Sequence, residues 1–291
     1  MSEQVNFGIC IFPTENIPQP NVIAIIAEKK NLDYLFLAEN SHIPITNTAK
    51  KYYKKETFKL FGMMYDPIIS LSACAAQTKN IKLGTGVCLL TERDPIITAK
   101  AISTLDHLSN GRLIFGVAGG WIKEAMENHG SCFEQRWAIV EEHVDLIKKL
   151  WTNEEINHEG KFFKLKGPVK QYPKPFQKKG PPILIGSNHK SVVKKVVRYG
   201  DGWMPIFNRY EKNSEPLQDV KIECDRHSRN FQDLLIILFD APKNPKQLCE
   251  LYEQGYKNFV FFPERQNNYD CEDFINSISE IKKEFYKLVK Y

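Results

Sequence analysis

No two of the seven cysteines form a CxxC pair, and none stands beside histidines at metal-ligand spacing. They lie far apart, at positions 10, 74, 88, 132, 224, 249 and 271. This excludes a zinc ribbon or a thioredoxin-type redox motif. Several fall in apolar segments, where a free thiol behaves as a small hydrophobe. The pattern predicts a reducing, cytoplasmic compartment and no metal. Long apolar runs are also missing. LLIILF (234–239) is far too short to cross a bilayer, and MSEQVNFGICIFP carries Glu3 without the basic start of a signal peptide. Charge of one sign is scarce as well: Lys and Arg total 40, Asp and Glu 35, for a net +5. Spread along the chain, this reads as a solvated surface rather than a nucleic-acid footprint. The densest basic stretch, KKYYKKETFKLF around 50–61, reads as a charged loop or lid, with an RNA-binding patch as the weaker alternative. Neither GTGVCL nor GVAGGW completes G-x-G-x-x-G, and no G-x-S-x-G elbow occurs.

What is present is a repeated alternation. Apolar runs at 5–12, 33–40, 80–90, 112–118, 183–186, 202–207, 234–241 and 258–262 read as strands. Helical patterns follow at 21–31, 66–78, 93–111, 135–151, 188–199, 211–231, 245–255 and 270–290. Two of these helices open on Asp-Pro, an N-cap followed by a proline preset for the first helical position. Trp137, Val140, Val144, Ile147 and Trp151 form one helical face, as do Ala99, Ile102, Leu105 and Leu108. Strands without polar alternation are covered on both faces, as in parallel sheets. Eight such units predict a single (β/α)8 TIM-type barrel over 1–291, with insertions after strands 2 and 4 and before strand 5. A doubly wound open sheet is the runner-up.

In such a barrel the carboxyl ends of the strands carry the site. They supply Glu39, Asn40 and His42 after strand 2, Gly86 and Val87 in strand 3, and Gly119, Gly120 and Trp121 after strand 4. Strand 5 supplies Gly186, Ser187 and Asn188. Glycine at the end of strand 4 argues against the paired carboxyl groups of a glycosidase. His42 and Asp240 are thin support for metal hydrolysis. Bare backbone at Gly119-Gly120 admits either another part of the protein or a ligand. ILIGSNHKSVV reads as a strand, a Gly turn and a helix start capped by Ser187. This is an anion site or an ordinary βα turn.

DYLFLAENSHIP, KLGTGVCLL, RDPIITAKAISTLDHLSNGRLIFGVAGGW, FEQRWAIVEEHVDLIKKLW, EGKFFKL, YPKPFQKKGPPILIGS and VVRYGDGW stand in the order seen in luciferase-like monooxygenases. The chain resembles this family over about residues 5–207, and most resembles its F420-dependent branch. The resemblance implies a flavin-type oxidoreductase or monooxygenase that binds F420 or FMN at the barrel mouth and acts on a small organic substrate. It also implies a homodimer and a non-proline cis peptide at Gly86-Val87. The cofactor phosphate is expected near Gly186, Ser187 and Asn188, with Gly119, Gly120 and Trp121 lining the tail or substrate pocket. One departure stands out. The family often has an acid followed by His after strand 2, whereas here Glu39 is followed by Asn40. His42 either replaces the missing imidazole or lies on the surface, and Glu39 keeps a hydrogen-bonding role. The departure also motivates an alternative, a flavin-binding barrel without catalysis.

Overall fold

A strand buried on both faces needs a partner on each edge and a helix over its outer side. The computed structural model, which describes residues 4–46, 59–210, 216–263 and 269–289, meets this need with a ring. Its strands are β1 (Asn6–Ile11), β2 (Tyr34–Leu37), β3 (Lys82–Leu89), β4 (Leu113–Ala118), β5 (Ile183–Ile185), β6 (Gly202–Trp203), β7 (Leu235–Ile236), β8 (Leu238–Phe239) and β9 (Asn258–Phe261). All pair in parallel in the order β7-β6-β5-β4-β3-β2-β1-β9-β8. The expected seventh strand is therefore broken at Ile237. Its first half pairs with β6 and its second half with β9. The sixth segment follows it upward, with the Ile237 amide donating to the Trp203 carbonyl (3.0 Å) and the Phe239 amide to the Pro205 carbonyl (2.7 Å). One strand position thus bridges both ends of the sheet, and the open-sheet alternative falls away.

The helices are α1 (Pro20–Lys29), α2 (Pro67–Gln77), α3 (Pro95–Leu108), α4 (Lys123–Asn128), α5 (Arg136–Thr152), α6 (Val192–Tyr199), α7 (Pro216–Arg226), α8 (Pro245–Glu253) and α9 (Cys271–Val289). Asp66 and Asp94 cap α2 and α3, accepting the amides of Ile69 (2.9 Å) and Ile97 (2.8 Å). Two starts differ from expectation. The helix expected over 188–199 begins only at Val192, so Ser187 does not cap it. Leu108, expected on the buried face of α3, is exposed, because the helix ends there and the chain turns away through Asn110 and Gly111, both at positive φ. Residues 50–58 of the Lys-and-aromatic stretch lie outside the described residues, as do 211–215 of the expected 211–231 helix.

Alternate strand residues divide the core into two layers. Phe7, Ile9, Ile11, Leu35, Leu37, Phe115 and Val117 pack outward beneath the helices. Cys10, Tyr34, Phe36, Ile114, Leu184, Met204, Phe239 and Val260 fill the barrel. Small residues make room for the large ones. A Cβ on Gly84 would meet the Phe36 ring at 2.4 Å, and one on Gly116 would meet Met204 Sδ at 2.5 Å. The lower end is closed by polar groups that satisfy one another: Asn258 Oδ1 accepts from Tyr34 Oη and Asn6 Nδ2, each at 2.8 Å. With the interior filled, the space that the carboxyl ends of the strands share lies above it, at the rim.

Candidate active site at the carboxyl rim of the barrel

That rim holds a cavity of about 870 Å³. The strand ends contribute Glu39 and Asn40, Gly86, Val87 and Leu89, Ala118, Gly120 and Trp121, and Gly186, Ser187 and Asn188. Phe12, Phe61, Ile206 and Phe262 supply apolar wall, and Arg136, Trp137, His189, Ser191 and Arg209 also line it. Nine of the eleven residues singled out in the sequence therefore face one space. Gly119 and His42 do not line it.

The floor is β3. The peptide between Gly86 and Val87 is cis, as the resemblance implies, and the β3–β4 register shifts between Thr85 and Cys88. The surrounding structure holds this stretch closely. The Cys10 thiol donates to the Gly86 carbonyl at 3.7 Å, and Thr85 Oγ1 donates to the Gly116 carbonyl at 2.7 Å. A Cβ on Gly186 would lie 2.6 Å from Val87 Cγ1, so the bare end of β5 is what lets Val87 stand there. Glu39 is buried, and its carboxylate accepts the Leu89 amide (2.6 Å) and Arg93 Nε (2.7 Å), with the same guanidinium also reaching Asp66. Burial and the nearby Glu39 charge push the Cys88 thiol up, so it stays protonated.

The glycines after β4 have two separate reasons. A Cβ on Gly119 would press on Arg136 Cγ at 3.2 Å, so its bare backbone accommodates another part of the protein. Gly120 adopts φ +70°, a conformation that disfavours a side chain, and turns the chain so that Trp121 reaches the cavity. Trp121 meets Phe61 edge to face at 5.8 Å.

The turn after β5 offers less backbone to an anion than its sequence suggests. The first helical amides are already used: Val192 donates to the His189 carbonyl (2.8 Å) and Val193 to that of Lys190 (3.4 Å). Ser187 Oγ accepts the His189 amide at 3.3 Å, and Asn188 Oδ1 accepts that of Ile206 at 2.8 Å. The positive charge comes from side chains instead. Among the described residues Arg136 and Arg209 make no ion pair with a carboxylate, and both line the cavity. Lys195 lies behind them, over the Trp137 ring at 5.3 Å, its pKa lowered by burial and by Arg198 and Arg136. Sequence reasoning missed Arg136, Trp137 and Arg209. The available signal was an isolated arginine in a Lys-rich chain, inside the FEQRW stretch.

His42 turns away from the cavity. Its Nδ1 lies 2.8 Å from Ser41 Oγ and its Nε2 2.8 Å from Asn128 Nδ2. Ser41 Oγ in turn donates to Glu92 Oε2 (2.6 Å) and lies 3.2 Å from His129 Nε2. Burial raises the Glu92 pKa, an effect partly offset by the Ser41 hydrogen bond.

A parallel (β/α)8 barrel with an apolar, partly cationic cavity at its carboxyl rim is the architecture of a small-molecule enzyme. The luciferase-like monooxygenase model matches residues 16–278, and the chain belongs to that family. It is 30% identical to the uncharacterised protein Rv0953c of Mycobacterium tuberculosis over 267 residues, covering 90% of this chain and 93% of that one. It is 34% identical to the F420-dependent glucose-6-phosphate dehydrogenase of Amycolatopsis mediterranei over 138 residues, 46% of this chain and 40% of that protein. The monooxygenase RslO1 from Streptomyces bottropensis shares the fold, with a TM-score of 0.77 at 16% identity over 97% of this chain and 99% of that one. No helix among the described residues is long and apolar enough to cross a membrane.

Proposed function

We propose that the chain is an oxidoreductase that uses F420 or FMN to exchange a hydride with a small organic substrate. The observation that carries this reading is that one cavity is lined both by Val87 and apolar side chains and by the cationic Arg136 and Arg209. A flat ring system with a phosphorylated tail needs both. About 870 Å³ suits such a ligand. When bound, the cofactor supplies two-electron chemistry, and with FMN and dioxygen this extends to monooxygenation.

The protein's share is binding, orientation and exclusion of water. Val87 and Leu89 support the rings, and Arg136, Arg209 and Ser187 take the phosphate. Phe12, Phe61, Trp121 and Phe262 keep the reacting side dry. Donor and acceptor atoms must approach to about 3–3.5 Å, which a wall of rigid aromatic side chains favours. Glu39 acts indirectly, by holding the end of β3. Titrating purified protein with F420 and with FMN, followed by absorbance, separates the two cofactors. Binding of neither overturns the proposal.

The second reading, a flavin-binding barrel without catalysis, rests on Asn40. This side chain lines the cavity where a titrating imidazole is expected, and among the described residues its amide donates to Met64 Sδ, at 3.7 Å. Tight cofactor binding with no turnover of carbonyl or alkene acceptors would favour it.

A further inference from the structure

Outside the cavity, the rim gathers a second set of chemically active side chains from three separate segments. His42 follows β2, Glu92 sits in the single helical turn after β3, and His129 ends α4. Their ligand atoms lie within 4.8 Å of one another. They converge on one point, now held by the Ser41 hydroxyl, which is 2.6 Å from Glu92 Oε2, 2.8 Å from His42 Nδ1 and 3.2 Å from His129 Nε2. Glu92 is only 8% exposed. Among the described residues its carboxylate pairs with no Lys or Arg, since the neighbouring Arg93 is committed to Glu39 and Asp66. A buried carboxylate without a cation is costly, and the surroundings here supply two imidazoles in place of one.

We propose that His42, Glu92 and His129 form a binding site for a divalent first-row metal ion of the zinc type. Two nitrogens and one carboxylate oxygen are a donor set that such ions accept, with the Ser41 hydroxyl or water completing the shell. Tetrahedral zinc places its ligand atoms about 3.3 Å apart, so pairs of these atoms close in by up to about 1.5 Å on binding. His42 is half-buried and His129 exposed, so neither is locked in the core. The second shell is present too. With His42 Nδ1 on the metal, its Nε2 carries the proton, and the Asn128 amide, turned end for end, accepts it. Glu92 and His129 also line a hollow of about 510 Å³, which gives an ion a path from solvent.

The ion would tie the loop after β2 to the β3 turn and to α4, three segments that flank the cavity. Glu39 and Asn40 precede His42 by two or three residues, and Gly120 and Trp121 lead directly into α4. The site is therefore a structural pin for the rim, and its detection does not depend on a flavin.

The test uses the full chain, stripped with a chelator and free of cofactor. Zn²⁺ is titrated by calorimetry and Co²⁺ by its visible absorption. One ion per chain is expected, with affinity weakened at least tenfold in Glu92→Gln and in His129→Ala, and unchanged in Cys132→Ser, which removes the exposed thiol. Far-ultraviolet circular dichroism checks the fold of each variant, and the exposed position of His129 keeps that variant informative if Glu92→Gln misfolds. Absence of saturable uptake up to about 100 µM metal, or uptake undiminished by both substitutions, overturns the proposal.

Discussion

Oε2 of Glu39 accepts the backbone amide of Leu89 at 2.6 Å, so the end of the second strand holds the end of the third. The other oxygen takes Arg93. Both oxygens are engaged, which makes Glu39 a positioning residue for the cavity floor rather than a free acid or base. Glu39→Gln keeps the shape but turns one acceptor into a donor facing either the Leu89 amide or the guanidinium. The expected cost is about 2–4 kcal/mol of stability, read from the urea midpoint, with weaker cofactor binding alongside. An unchanged midpoint would refute the assignment.

Arg136 and Arg209 are expected to recognise phosphate rather than rings. Substituting either by Met should weaken FMN binding about tenfold, with reduced salt dependence. Riboflavin, which lacks the phosphate, should bind each variant within about twofold of the parent. Equal losses for FMN and riboflavin would mean that the arginines shape the cavity without contacting the anion.

The contrast between these two sites shows what the sequence made legible. Parallel strands write their burial into composition, and Asp-Pro helix starts are local chemistry, so the barrel could be read residue by residue. The luciferase-like pattern placed glycines 86, 120 and 186 on the rim, where the structure has close approaches at Gly86 and Gly186 and a positive φ at Gly120. What stayed hidden depends on distance in space. Gly119 looked like room for a ligand because nothing in the sequence says that Arg136 folds back over it. His42 read either as a substitute for the imidazole missing at Asn40 or as a surface residue, and nothing in the sequence says that its neighbours are Glu92, Asn128 and His129. The break at Ile237 was hidden too, since a strand that serves two neighbours has the same apolar composition as one that serves a single neighbour.

Gly186 gives a steric test. Its backbone suits any residue, but an Ala Cβ would stand 2.6 Å from Val87 Cγ1. Gly186→Ala should therefore push Val87 into the cavity, costing about 1–3 kcal/mol and most of the cofactor affinity. Val87→Ala alone should be mild. The double variant should recover a substantial part of both losses, because the clash needs both side chains. Additive losses would place the effect elsewhere.

Asn40 sets the expected pH behaviour. Glu39 is tied to Leu89 and Arg93, and the cavity's one described histidine, His189, follows β5 and has Nδ1 taken by the Ser191 amide at 3.2 Å. No imidazole therefore stands at the end of β2 to gate the chemical step. The single-turnover rate constant should be nearly flat between about pH 6 and 8, the span in which an ordinary histidine titrates. Asn40→His places a titrating group there. If its imidazolium donates a proton in the reaction, the rate rises as pH falls through about 6.5. If its neutral form accepts one, the rate rises as pH increases through the same region. Either limb, absent from the parent, would locate the reacting face beside Asn40. A profile as flat as the parent's, with cofactor still bound, would move the chemistry away from the second strand.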